Sequence, residues 1–125
     1  MAAKCITIPV NKITDRILAR RQVREAARSF NFGLIEQATL SLAAYNVISR
    51  MGMGMTCIGE VFIKPVDNGI HDGMQVICTT NNIRNINIAP ASFSDTYWLV
   101  DEFDVETTAP NGARVVFVLW ANKRL

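Results

Sequence analysis

A chain of 125 residues, half of them apolar, is one domain's worth of sequence with enough hydrophobic material to bury a core. Its net charge of +2 argues against a generic polyanion binder, and its apolar runs fall far short of the roughly 20 residues that span a bilayer. Cys5, Cys57 and Cys78 stand far apart without paired spacing, which predicts reduced, buried thiols, a cytoplasmic protein and no metal site.

The opening "MAAKCITIPV" carries one lysine ahead of strand character, so it is a poor signal peptide, and "CITIPV" (5–10) reads as a first strand. A helix follows, with Thr14 as its expected cap and Asp15 placed to favour the dipole in the first turn. Ala19, Val23, Ala26, Ala27 and Phe30 form its apolar stripe, and Asn31 and Gly33 mark its end. Arg16, Arg20, Arg24 and Arg28 recur every four residues on another side.

A second helix is predicted over 35–51, apolar around most of its circumference and therefore buried on several sides. "MGMGM" (51–55) breaks it, because two close glycines cost helix stability and permit unusual turns. The methionines there suit filling irregular core space. "TCIGEVFIK" (56–64) and "MQVICTT" (74–80) read as strands joined by a turn that holds the only histidine, His71, expected at the surface. A polar loop spans 81–92, and a short helix follows within "SFSDTYWLVDEF", capped by Ser92 or Ser94, with Trp98 expected as core or rim packing. "DVETT" and "ARVVFVLWA" are two last strands around the turn "APNG". The order β-α-α-β-β-α-β-β predicts a single α+β domain over 1–125, a two-layer α/β sandwich with a mostly antiparallel sheet and helices on one face.

Charge is unevenly spread. Residues 1–35 hold seven bases against Asp15 and Glu25, whereas 95–106 hold five acids and no base. Such asymmetry suits partner choice or self-association.

The stretch "DRILARRQVREAARSFNFGLIEQATLSLAAYNVISRM", with its "FG" turn and Gln37, and "WLVDEFDVETTAPNGARVVFVLW" resemble the anti-sigma-factor and stress-response switch serine kinases of the histidine-kinase-like ATPase (GHKL) superfamily. The resemblance covers almost the whole chain and implies a Bergerat-type ATPase fold. Active members of that family place a glutamate base and, one helical turn later, a magnesium-binding asparagine on the second helix. Here those positions fall on Asn46 and Arg50: an amide takes no proton at neutral pH, and a guanidinium repels a metal. Moving the register to put Asn46 at the metal position leaves Leu42 where the base belongs. Their Asp-x-Gly-x-Gly adenine motif is met by Thr80, Asn82 and Arg84, and their glycine-rich phosphate lid by "RNINIAPASFSDTY", which has no glycine.

The resemblance therefore implies a degenerate member: a pseudokinase without catalytic residue, metal or bound cofactor, acting by protein contact in a partner-switching pathway. Its partner would be an anti-anti-sigma domain, a sigma factor, a phosphatase, a related kinase or a second copy. Arg16, Arg20, Arg24 and Arg28 are the expected docking surface, since arginine's planar fork suits carboxylates. Two alternatives stand beside this reading. One is a serine/threonine kinase that binds ATP and Mg²⁺ in a rearranged pocket with Asn46, Arg50 or Thr80 in new roles. The other is nucleic-acid binding through the arginines. No membrane association is expected.

Overall fold

The computed structural model describes residues 5–81, 90–108 and 112–121. In chain order the elements are β1 (Ile6–Val10), α1 (Ile13–Ser29), α2 (Leu34–Arg50), β2 (Gly59–Asp67), β3 (Asp72–Thr80), a 3-10 turn (Pro90–Phe93) running into α3 (Ser94–Tyr97), β4 (Glu102–Thr108) and β5 (Gly112–Trp120). The strands form one open sheet in the order β1-β2-β3-β5-β4, antiparallel at every pairing. The protein is thus α+β, with the expected element order. No helix among the described residues is long and apolar enough to cross a membrane.

Strand periodicity decides which face is buried. Ile8, Val61, Cys78, Val115 and Val105 are successive partners along one rung, and Ile6, Ile63, Val76, Phe117 and Phe103 along the next. Most of these are buried, while their chain neighbours, Val118 apart, are exposed or half-buried, so one face of the sheet carries the core. Onto it α1 brings Ala19, Val23, Ala26 and Ala27, whose small side chains allow close approach, and α2 brings Leu40, Ala43, Ala44, Val47 and Ile48. Each fully buried valine or leucine contributes about 1.5–3 kcal/mol relative to an exposed one.

The helix ends follow backbone chemistry that the sequence only partly declares. Lys12, not Thr14, takes the cap position of α1, and Thr14 lies one residue inside the helix. The Asp15 carboxylate folds back to accept from the N–H groups of Asn11 at 2.9 Å and Lys12 at 3.2 Å. At the other end Asn31 adopts φ 66°, the Phe32 N–H reaches the Ala27 carbonyl and the Asn31 N–H that of Arg28. This left-handed cap lets the chain reverse in four residues. Gly33 then caps α2, its N–H donating to Glu36 Oε1 at 2.8 Å.

The glycines after α2 have separate tasks. Gly52, at φ 75°, ends the helix, and its carbonyl accepts from the N–H groups of Met55, Thr56 and Cys57. That turn consumes residues predicted as strand, which is why β2 starts at Gly59 and runs on to Asp67. Gly54, at φ 88°, lies so close to the start of α1 that a Cβ there would stand 2.7 Å from the Lys12 carbonyl oxygen. Met51 and Met53 are fully buried, as core filling requires, but Met55 is exposed.

Other expectations change in three dimensions. Cys5 is exposed, unlike Cys57 and Cys78, because it precedes the first strand rather than facing the core. Trp98 is 83% exposed and stacks edge-on against Tyr97 instead of packing inward, since α3 ends at Tyr97 and turns the indole outward. The residue at the N-cap position of α3 is Phe93, not Ser92 or Ser94. Trp120 is half-buried and lies across Gly73, its indole N–H donating to Glu102 at 2.8 Å. His71 is half-buried in the β2–β3 turn, which Asn68 organises by accepting from the N–H groups of Ile70 and His71.

Candidate functional site

The resemblance would put a nucleotide among three elements: the C-terminal half of α2, the end of β3, and the segment 90–97. Asn46 and Arg50 are one turn apart and share a flank of α2. Asn46 is half-buried there. Arg50 bonds through Nη2 to Asp95 Oδ2 at 2.9 Å, which ties α3 to α2. Phe93 and Thr96, on the same segment, are fully buried. The flank is partly covered by that segment, and its guanidinium already has a carboxylate.

Thr80 ends β3 on the core side, 3% exposed, with Oγ1 donating to the Ile58 carbonyl at 2.6 Å. Its hydroxyl therefore ties β3 to the residue before β2. A cleft of about 360 Å³ opens beside it between the ends of β1, β2 and β3, lined by Asn11, Ile58, Glu60, Thr79 and Asn81 among others. Among the described residues of that lining Glu60 is the charged one, and none is a lysine or arginine. A polyphosphate there would meet a carboxylate rather than a neutralising charge. Asn82 and Arg84, the remaining positions of the adenine motif, lie outside the described residues, as does part of the segment matched to the lid.

Little else supplies reactive chemistry. No group of three or more metal-ligating side chains gathers among the described residues. Burial raises the Cys78 thiol from its ordinary value of 9.0 to about 12, so it is no thiolate nucleophile at neutral pH.

The arginine series divides. Arg16 is buried, 8% exposed, and its Nε donates to the Met53 carbonyl at 2.7 Å, pinning the glycine loop to α1. It is structural and no part of an exposed stripe. The reason is geometric: four residues turn a helix through 400°, so each step drifts 40°, and Arg16 and Arg28 end up about 120° apart. Arg20, Arg24 and Arg28 do face solvent. Arg20 sits over the Tyr45 ring, 5.5 Å from its centroid, and Arg28 makes a loose pair with Glu25 at 3.6 Å.

Aliphatic side chains lie beside these arginines. Ile13 and Ile17, each about half-exposed at 48% and 52%, continue the same line toward the helix N-terminus. Positions 13, 17, 20, 24 and 28 recur at helical spacing, so one outer face of α1 is aliphatic at its start and cationic at its end. Leu42 is exposed on α2. The signal was a second periodic stripe, offset from the alanine-rich one.

No family model matches this chain, and no curated protein matches it.

Proposed function

We propose that this chain is a non-catalytic, protein-binding regulator built on a Bergerat-like two-layer fold, similar in kind to the anti-sigma-factor switch kinases but with the nucleotide site lost. It acts in partner switching, where the identity of the bound protein carries the signal. The observation that carries the reading is the α2 flank: Asn46 offers no base, and Arg50 is neutralised by Asp95 beneath a segment anchored by the buried Phe93. Phosphoryl transfer depends on positioned donors, metal and neutralising charge, and that flank offers none of them free.

What remains for binding is the outer face of α1. Ile13 and Ile17 supply apolar contact, and Arg20, Arg24 and Arg28 supply forks for carboxylates. An anti-anti-sigma domain, a sigma factor, a phosphatase or a related kinase with an acidic, aliphatic-centred surface fits it. Nucleic acid fits less well, because Arg16 is withdrawn into the fold and net charge is small.

Calorimetric titration with Mg²⁺ and ATP tests the loss of the site. No heat and no thermal shift are expected at millimolar nucleotide; saturable micromolar binding would return the chain to the kinases. Double charge reversal, Arg20→Glu with Arg24→Glu, is expected to weaken binding to the cognate regulator by about a hundredfold while leaving the unfolding midpoint within a few degrees. Unchanged affinity would remove α1 as the docking face.

A further inference from the structure

The segment that follows α3 sets three aromatic rings around one small hollow. Trp98 is 83% exposed and Tyr97 49%, a large area of ring for a chain to leave in water. Tyr97 stands between two neighbours: the Trp98 ring lies 5.5 Å away at 80° to it, and Phe103 lies 6.0 Å away at 65°. With Val100 and Asp101 these rings line a cavity of about 220 Å³. The hollow is built into the fold. Phe103 packs on the core beside Phe93, and the Leu99 N–H donates to the Thr96 carbonyl at 2.8 Å. The Asp101 N–H donates to the Val118 carbonyl at 3.0 Å, and its carboxylate accepts from the Trp120 backbone N–H at 2.7 Å.

Charge decides what such a hollow takes. Among the described residues no lysine or arginine pairs with Asp101, and Glu102 and Asp104 beside it in sequence are exposed. Residues 95–106 hold five acids and no base. Anions are repelled there, whereas the negative faces of aromatic rings attract a cation, tryptophan most strongly.

We infer that this hollow binds a quaternary ammonium head group, a trimethylammonium centre carried by a molecule whose remainder stays in solvent. Hydrogen-bond arithmetic separates that group from the ordinary cations of proteins. A lysine ammonium brings three N–H donors and a guanidinium five, but the side chains of the lining offer only one carboxylate and one phenol oxygen. A trimethylammonium centre brings none, only methyl groups that ring faces can cover. Its rounded shape also suits walls set at steep angles, where a flat guanidinium would lie against a single ring. The cavity is smaller than the roughly 300–1,000 Å³ of cofactor-sized pockets, so it admits a head group and not a whole nucleotide. It lies at the β4 edge of the sheet, opposite the β1 edge against which α1 packs, so binding here is independent of the α1 docking face.

An amide chemical-shift titration of the full chain with choline tests the site. Saturable shifts centred on residues 97–103 are expected, with a dissociation constant on the order of 1 mM. Dimethylbutanol, the uncharged carbon isostere, should bind at least tenfold more weakly, and sodium chloride at matched ionic strength should not reproduce the shifts. Trp98→Ala should weaken choline at least tenfold with the unfolding midpoint unchanged, because the indole is exposed. Asp101→Asn, whose amide oxygen can still accept from Trp120, should weaken choline several-fold and leave dimethylbutanol as it was. A peptide with one trimethyllysine, run beside its unmodified lysine form, distinguishes a protein-borne group from a free solute, and the tighter of choline and modified peptide marks the source. No saturable binding of either up to about 50 mM overturns the proposal. So does equal binding of choline and its isostere, of the two peptides, or of wild type and Trp98→Ala.

Discussion

Gly54→Ala is expected to cost about 3 kcal/mol of folding stability, a large share of the 5–15 kcal/mol that holds a domain of this size. Two separate penalties meet there. The residue adopts φ 88°, where a side chain costs roughly 1–2 kcal/mol. Its Cβ would also stand 2.7 Å from the Lys12 carbonyl oxygen and 2.9 Å from the carbonyl carbon, atoms of a rigid helix start that cannot swing aside. The loop holds that position because the Gly54 N–H donates to the Cys57 carbonyl at 2.8 Å and Arg16 donates to the Met53 carbonyl. Urea denaturation measures the effect. Gly69→Ala serves as comparison, since it shares a φ of 88° but has nothing within 4 Å of its Cβ. It should lose only the conformational part, about 1–2 kcal/mol. Equal losses at the two glycines would show that contact with α1 contributes nothing.

Phe93→Ala should cost still more, about 3–5 kcal/mol, because it removes one of the largest fully buried side chains. Phe93 packs beside Phe103, ring centroids 5.7 Å apart, and anchors the segment that covers the α2 flank. The Arg50–Asp95 pair crosses the same junction, but both side chains are substantially exposed, at 55% and 36%, and such pairs contribute about 0–1 kcal/mol. Asp95→Ala is therefore expected to shift the thermal midpoint only slightly, whereas Phe93→Ala should lower it by more than ten degrees. The reverse ranking would mean that the ion pair, not the aromatic anchor, keeps the segment in place.

The order of elements was legible because helix and strand periods differ and because Asn31, Gly33, Gly52 and Gly54 punctuate them. Boundaries were less so. Nothing local announces that Asp15 reaches backwards to tie off α1, or that the Gly52 carbonyl gathers three N–H groups and delays β2. At the candidate site, residue types alone gave the chemical objection to catalysis: an amide and an arginine stand where a base and a metal ligand are needed. The contact between Arg50 and Asp95 was hidden, since it joins residues 45 apart in sequence. Arg16 misled for a related reason: a spacing of four resembles a straight stripe until the drift of each turn is followed into the seam with Met53.

The strand order has a kinetic consequence. Residues 6–80 supply β1, β2, β3 and both long helices, while β4 and β5 come as a consecutive hairpin. The sheet joins these two parts along a single ladder, Gly73–Thr80 against Ala113–Trp120. Each part contains its own short-range hairpin, which closes early and at low entropic cost, but the ladder must wait for a long excursion of chain. Val115 and Phe117 of β5 share one core with α1 and α2, so the β3–β5 seam is the long-range step expected to close late in folding rather than a boundary between independent units.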